Sequence, residues 1–146
     1  MVEAKKEQEI DTNLYSRQIG TFGLEAMGKL MKLNVLIVGQ RGLGVETAKN
    51  LILAGPKSVT LYDPTTVTIN DLSSNFYLSA DDVGKRTRAQ ATKEQLNELN
   101  PYVDVVVAES FTSEDVSKFS LICITENFVG LTELIKINEA CRNSNP

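Results

Sequence analysis

The chain has 146 residues, and 42% of them are hydrophobic, which suffices for one domain with a buried core but not for two. A formal net charge of −4 argues against general nucleic-acid binding, which requires a basic surface. The sequence has no histidine and only two cysteines, Cys123 and Cys141, so it excludes most zinc sites and any nucleophile activated by histidine. The apolar runs are too short to span a membrane, and the charged N-terminus lacks the apolar centre of a signal peptide.

Residues 1–12 are predicted to be a flexible tail, and residues 13–146 are predicted to form the domain. Apolar residues at helical spacing predict helices, and short continuous apolar runs predict strands that are buried on both faces. In chain order, the predicted elements are a helix over 16–33, a strand over 34–38, a helix that ends at Gly55, a strand over 58–63, a polar stretch over 64–83, a helix over 85–100, a strand over 103–107, a short element, a strand over 120–124 and a helix over 128–142.

Strands that alternate with helices predict an α/β fold with a Rossmann-like, doubly wound and mainly parallel sheet. The last predicted helix ends close to the C-terminus, where such a sheet would add its next strand. We therefore expect a domain that is incomplete at its C-terminus and a chain that is part of a longer protein.

A glycine loop, GQRGLG, follows the first predicted strand. A dinucleotide-binding fold places Gly-x-Gly-x-x-Gly here, with an acidic residue about 20 positions further on. Gly39 and Gly44 match the first and third glycines, and Asp63 at the end of the second strand matches the acidic residue. The middle position is Arg41, and Gly42 follows one position late.

The middle glycine normally lets the backbone approach a phosphate, and the long Arg41 side chain would occupy that space. We therefore predict a degenerate nucleotide loop, in which the glycines serve turn geometry and the packing of helix on strand. The alternative is that the Arg41 guanidinium pairs with a phosphate.

Four segments resemble the amino-terminal half of the ubiquitin-activating enzymes (E1): LYSRQIGTFGLEAMGKL, NVLIVGQRGLGVETAKNLILAG, VTLYD and DLSSNFYLSADDVGKRTRAQATKEQLNELNPYV. The resemblance extends over about residues 12–143, with the motifs in register. It implies the MoeB/ThiF-like adenylation fold, of which an E1 contains two copies. One copy binds ATP and adenylates the C-terminus of ubiquitin, whereas the other has lost its nucleotide site and packs against the first.

The altered motif residues indicate the inactive copy. The active family pattern Ser-Asn-Leu-Asn-Arg-Gln-Phe reads here NDLSSNF, so Asp71 replaces the first asparagine and Ser74 replaces the arginine that meets phosphate. Thr87 replaces a lysine, and Glu126 replaces the aspartate that binds magnesium. The resemblance therefore implies that the other half of the whole enzyme binds ATP and Mg²⁺, and that this fragment binds no cofactor and no metal.

Three basic residues, Lys85, Arg86 and Arg88, lie close to the altered lysine position. They would be a replacement phosphate site if their side chains converged. We expect instead that they form a solvated, basic start of a helix.

The intact segment YSRQ, residues 15–18, carries the remaining functional candidate. In the family, the arginine of this segment reaches into the ATP site of the partner copy. The resemblance therefore implies that Arg17 contacts the bound nucleotide in trans, while Tyr15 and Gln18 fix the conformation of the segment. Without the resemblance, Arg17 would be interpreted as a surface arginine in an ordinary ion pair.

The resemblance implies a whole enzyme that adenylates ubiquitin with ATP, forms a thioester on a cysteine and passes ubiquitin to an E2 carrier enzyme. The implied partners are the active adenylation half, ubiquitin or a ubiquitin-like protein, and the E2, with no nucleic acid and no membrane. Neither Cys123 nor Cys141 is the catalytic cysteine, because both lie in predicted elements of the fold. The expected location is cytoplasmic and nuclear.

Two alternative functions remain open. The first is the non-catalytic subunit of a SUMO- or NEDD8-activating heterodimer, which shares the whole architecture. The second is an NAD-dependent oxidoreductase domain, which the spacing of Asp63 supports and which Arg41 and the YSRQ segment oppose.

Overall fold

The computed structural model describes residues 10–144. Most of the predicted tail lies outside the described residues, and the proposed domain boundary remains a prediction. The elements are α1 (Ser16–Leu30), β1 (Asn34–Val38), α2 (Gly42–Ala54), β2 (Ser58–Tyr62), α3 (Arg88–Glu98), β3 (Asp104–Val107), β4 (Leu121–Ile124) and α4 (Gly130–Asn143). Three short 3-10 helices complete the fold, at Ile69–Ser73, Ala80–Asp82 and Ser113–Lys118. None of the helices in the described range is long and apolar enough to span a bilayer.

The four strands form one parallel sheet in the order β3-β2-β1-β4. In the register, Val35 of β1 pairs with Val59 of β2 and with Leu121 of β4. The chain therefore moves outward from β1 through β2 to β3, and then returns to the other side of β1. This confirms the predicted α/β fold with a parallel sheet. Ligands of open α/β sheets bind beyond the carboxyl ends of the strands, beside such a reversal of strand order.

Apolar layers cover both faces of the sheet. Val35 and Ile37 pack on the face that carries α2 and α3. Leu36 and Val38 pack on the opposite face, together with Ile137 of α4. These four side chains of β1 are at most 4% exposed, so the strand is buried on both faces, as its apolar run predicts.

Two helix boundaries differ from the predicted ones by three residues, and the others differ by less. The first helix ends at Leu30 rather than at 33, and Gly23 interrupts it with a φ of 81°. Helix α3 starts at Arg88 rather than at 85, because Thr87 and Gln90 form a capping box. The Thr87 hydroxyl accepts a hydrogen bond from the Gln90 amide at 3.2 Å, and the Gln90 side chain accepts one from the Thr87 amide at 3.1 Å.

The third glycine of the loop is needed for the packing of α2 on β1. A Cβ atom on Gly44 would lie 1.9 Å from the carbonyl oxygen of Gly39, which is backbone and cannot move away. Gly28 of α1 is also helical, but a Cβ atom there would meet nothing within 4 Å.

We predict that Gly44→Ala lowers the free energy of unfolding by about 3 kcal/mol, because overpacking against a backbone atom forces the helix off the strand. The matched control Gly28→Ala should be neutral or stabilising by up to about 1 kcal/mol, because alanine is the better helix former. Urea unfolding followed by circular dichroism measures both. Equal stability of the two variants would contradict the close helix–strand contact.

Candidate functional site

The carboxyl ends of β1, β2 and β4 meet at one edge of the sheet, where the glycine loop begins. Gly39 follows β1 directly, Asp63 follows β2, and Glu126 lies just beyond β4. The tertiary structure adds two further residues, Asp71 from the 3-10 helix Ile69–Ser73 and Arg88 from the first turn of α3. With Arg41 of the glycine loop, charged groups from five separate segments therefore converge at the place where the fold would hold a nucleotide.

Arg88 is the centre of this cluster. Its Nη1 atom lies 3.5 Å from Asp63 Oδ2 and 3.4 Å from Glu126 Oε2, and its Nε atom lies 3.0 Å from Asp71 Oδ2. Arg88 is only 2% exposed. The expectation that Arg88 belongs to a solvated helix start is therefore wrong. The capping box begins α3 at this residue, and three carboxylates compensate the charge that burial removes from water.

The other two basic residues of the predicted helix start lie apart from Arg88. Lys85 is exposed. Arg86 turns back to Asp82, whose carboxylate is 2.7 Å from the Arg86 Nε. The three basic side chains therefore do not converge on a common phosphate site.

Arg41 lies on the outer side of the cluster. Its Nε atom lies 2.8 Å from Glu126 Oε1 and 3.9 Å from Asp71 Oδ1, and its side chain is 60% exposed. Two guanidinium groups thus face three carboxylates, which leaves one negative charge uncompensated. Both of these guanidinium groups are engaged with carboxylates of the chain.

The titration of the carboxylates reflects these contacts. Burial alone would raise the pKa of Asp71, but the Thr68 amide and the Arg88 guanidinium more than offset it, so the pKa lies below its usual value. Burial raises the pKa of Glu126, and Arg41 and Arg88 offset this only in part. The pKa of Arg88 is raised because its carboxylate partners outweigh the effect of burial.

Asp63 was predicted at the position that holds a ribose hydroxyl, but its carboxylate points into the protein. Oδ2 accepts a hydrogen bond from the Gln40 amide at 2.9 Å, and Oδ1 accepts one from the Thr65 amide at 2.9 Å. The side chain has no exposed surface, and Arg88 lies against Oδ2. All of these contacts would have to change before a ribose hydroxyl could bind to this carboxylate.

The glycine loop is in close contact with its neighbours. A Cβ atom on Gly39, which has a φ of 97°, would lie 2.6 Å from Thr125 Oγ1. A Cβ atom on Gly42 would lie 3.1 Å from the Ser74 carbonyl oxygen, so the segment around Ser74 covers the first turn of α2. The buried Asn75 side chain donates to the Gln40 carbonyl at 2.9 Å and ties this segment to the loop.

Arg17 lies in the first turn of α1 and is exposed. Within residues 10–144, no carboxylate lies within ion-pair distance of its guanidinium. Tyr15, in contrast, is 3% exposed and hydrogen-bonded, so it fixes the conformation of this segment as predicted. The role of Arg17 itself remains a prediction.

The two cysteines lie in the elements predicted for them, Cys123 in β4 and Cys141 in α4. Burial raises the pKa of the Cys123 thiol, which disfavours the nucleophilic thiolate at neutral pH. Cys141 is exposed on its helix.

Sequence reasoning missed Arg88 as a member of the site. The sequence did contain a signal for a buried cation at this place. Two acidic residues, Asp63 and Glu126, follow predicted parallel strands, whose carboxyl ends meet at one edge of a sheet. Buried acidic side chains require a counter-charge, and the acidic substitution at Asp71 increases that requirement.

The ThiF family matches residues 15–132 of the chain. This chain belongs to the ThiF family. Among its relatives, the domain is 45% identical over 144 residues to ubiquitin-activating enzyme E1 1 of Candida albicans, a match that covers 99% of this chain and 14% of that protein. It is 48% identical over 130 residues to ubiquitin-activating enzyme E1 1 of Schizosaccharomyces pombe, covering 89% of this chain and 12% of that protein. These values confirm the resemblance found in the sequence.

Human ubiquitin-like modifier-activating enzyme 1 is 44% identical to this ThiF-family domain over 144 residues, covering 98% of this chain and 13% of that protein. The chain thus spans only about an eighth of the length of these relatives. Among solved structures, the Escherichia coli tRNA N6-threonylcarbamoyladenosine dehydratase TcdA, in complex with AMP, is similar with a TM-score of 0.76 and 21% identity. That match covers 94% of this chain and 58% of that chain, and it confirms the fold.

We predict that Arg88→Met destabilises the chain by about 3–5 kcal/mol at pH 7, because it leaves buried carboxylates without a counter-charge. The loss should shrink between pH 7 and pH 5, since the pKa values of the unpaired carboxylates rise and the groups become neutral. The wild type should not gain stability over this range from Asp71, whose lowered pKa makes it stabilising above about pH 4 and less so below.

The matched control is Lys29→Met, because Lys29 pairs with Glu25 on the surface and its side chain is 76% exposed. This change should cost less than about 0.5 kcal/mol at either pH. Urea unfolding at both pH values measures the difference, and an equally small loss for Arg88→Met would refute a stabilising ionic cluster.

Proposed function

We propose that this chain is the amino-terminal, non-catalytic adenylation half of an E1 that activates ubiquitin by ATP-dependent adenylation and thioester formation. In this role it scaffolds the active half and supplies Arg17 to the ATP site of that half. The identities of 44–48% to ubiquitin-activating enzymes support the E1 assignment. The observation that carries the non-catalytic assignment is the burial of Arg88 among three carboxylates at the edge of the sheet.

Nucleotide binding at this edge would require the protein to rearrange its own charges. A triphosphate needs cations around it, whereas Arg41 and Arg88 are paired with carboxylates. For Arg88, which is 2% exposed, removing a partner from the buried cluster costs about 3–5 kcal/mol. A ribose would also need the carboxylate of Asp63, which accepts two backbone hydrogen bonds. These opposing costs support a domain that binds neither ATP nor NAD by itself.

The rest of the reaction follows from this assignment. ATP and Mg²⁺ bind to the active half, ubiquitin or a ubiquitin-like protein is adenylated there, and an E2 receives it from a cysteine that is neither Cys123 nor Cys141. The enzyme acts in the cytoplasm and nucleus, without nucleic acid or membrane as a partner.

Arg17 is available for a contact in trans. Its guanidinium is exposed, and no described carboxylate neutralises it. An arginine remains charged at every physiological pH and offers a planar fork of donors to phosphate oxygens. These properties support an Arg17 that binds the nucleotide of the neighbouring half.

The parent open reading frame distinguishes this assignment from a subunit of a SUMO- or NEDD8-activating heterodimer. A second glycine loop and a later catalytic cysteine in the same reading frame would favour the single-chain ubiquitin enzyme. A reading frame that ends after about one more domain would indicate the heterodimer.

We predict that this chain by itself gives no binding heat with ATP or NAD in calorimetry. The guanidinium groups of Arg41 and Arg88 are already paired with carboxylates, and the Asp63 carboxylate already accepts two backbone hydrogen bonds. The full-length enzyme, titrated with ATP and Mg²⁺ in the same buffer, is the positive control. A micromolar dissociation constant of either nucleotide for this chain would overturn the non-catalytic assignment.

In the full-length enzyme, we predict that Arg17→Ala weakens ATP–pyrophosphate exchange by about 10- to 100-fold, the loss expected for a charge-assisted hydrogen bond of about 1.5–3 kcal/mol. Arg142→Ala is the matched control, because Arg142 is an exposed arginine on α4. Both variants should unfold at the wild-type temperature. Unchanged exchange in Arg17→Ala would remove this residue from the mechanism.

A further inference from the structure

Asn100, in the turn between α3 and β3, is a buried polar residue that the proposed function does not yet use. It is 3% exposed, and its side-chain amide forms three hydrogen bonds. Nδ2 donates to Tyr15 Oη at 2.8 Å and to the Ile52 carbonyl at 2.9 Å, and Oδ1 accepts from the Tyr102 amide at 3.1 Å. Asn100 therefore joins the turn, the end of α2 and the residue that precedes α1.

The Tyr15 side chain is buried in a closely packed site. The residue is 3% exposed, and its ring lies against Gly55, the C-cap residue of α2, which has a φ of 87°. A Cβ atom on Gly55 would lie 2.5 Å from Tyr15 Oη and 2.8 Å from Tyr15 Cε1. Glycine thus leaves the space for the ring, and Asn100 provides the hydrogen bond at its end.

A second contact holds the same segment. Asp11 Oδ1 accepts hydrogen bonds from the amides of Asn13 and Leu14, each at 3.0 Å, and its carbonyl accepts one from the Tyr15 amide at 3.1 Å. Asp11 Oδ2 accepts a hydrogen bond from Tyr102 Oη at 3.0 Å. We call Asp11, Tyr15, Asn100 and Tyr102 the N-terminal clamp.

The remainder of α1 has no fully buried side chain near its first turn, where Gln18 and Ile19 are only half-buried. Met27 is the one residue of α1 that is buried, and it lies beyond the interruption at Gly23. A glycine with a φ of 81° breaks the regular hydrogen bonding of a helix, so Met27 does not fix the direction of the turn that carries Arg17. The clamp at Tyr15 is the buried anchor on the Arg17 side of this break.

We propose that Asn100 is a positioning residue for Arg17. Asn100 holds the Tyr15 ring against Gly55 through its hydrogen bond to the hydroxyl. It thereby fixes the direction in which the first turn of α1 presents the Arg17 guanidinium to the neighbouring half. A guanidinium held in place binds phosphate more tightly, because less conformational freedom is lost on binding. This inference rests on the proposed role of Arg17.

The test is a double-mutant cycle in the full-length enzyme, with ATP–pyrophosphate exchange at varied ATP concentration as the measurement. We expect Asn100→Ala to raise the KM for ATP about threefold to tenfold, the effect of losing about one hydrogen bond. In the Arg17→Ala background, the same change should have no further effect, because the group that it positions is already absent. A merely structural role would give the same loss in both backgrounds.

Tyr15→Phe provides a second, milder variant, since it removes the hydroxyl and keeps the ring against Gly55.

Asn75→Ala is the matched control for a buried asparagine. Asn75 is 1% exposed, donates to a loop carbonyl and accepts from an amide, but it lies at the glycine loop. Its effect on exchange, whatever its size, should be the same with and without Arg17. Thermal unfolding of each variant shows whether the fold is retained.

The possible results separate the two proposals. If Arg17→Ala leaves exchange unchanged, the proposed role of Arg17 fails, and the positioning role of Asn100 fails with it. If Arg17→Ala weakens exchange but Asn100→Ala and Tyr15→Phe either have no effect or add fully to it, only the positioning role is refuted. A loss that disappears in the Arg17→Ala background supports both.

Discussion

The ion pairs around Arg88 constrain the whole carboxyl edge of the sheet. One guanidinium, 2% exposed, joins the residue after β2, the residue beyond β4 and a 3-10 helix to the start of α3. Such a group is held firmly in the interior, because without the guanidinium the buried carboxylates would lose their counter-charge in a medium that solvates charges poorly. The segments that follow β2 and β4 and the 3-10 helix Ile69–Ser73 are therefore connected to each other through ion pairs with Arg88.

The glycine loop beside this cluster depends on its glycines for packing. Gly39 and Gly44 are required by contacts of less than 3 Å that any side chain would make with Thr125 or with the loop itself. These requirements concern the packing of α2 on β1 and apply whether or not a phosphate binds. A fold can thus preserve the glycines of a binding motif while its charged residues pair internally, as Arg41 does with Glu126.

The arginines at the sheet edge and in the amino-terminal helix differ in their ion pairing. At the carboxyl edge of the sheet, Arg88 and Arg41 are satisfied by carboxylates of the same chain. At the amino-terminal helix, Arg17 is exposed and has no such partner within the described residues. The segment before it is nevertheless tightly held through Tyr15 and Asn100. A free guanidinium on an anchored segment is suited to a contact outside this domain.

The sequence by itself determined the parallel α/β sheet, the order of its elements and the location of the glycine loop, because hydrophobic periodicity, short apolar runs and glycine spacing are local. The sequence was also sufficient to identify the family, since the matching motifs are contiguous stretches of residues. The burial of Arg88 was decided only by the tertiary structure, because Asp63, Asp71 and Glu126 are distant in the sequence and meet only when the strands align. The clamp through Asn100 and Tyr15 was decided in the same way. Whether a charged or polar side chain is solvated or buried depends on neighbours that the folded chain brings together, and no local pattern specifies them.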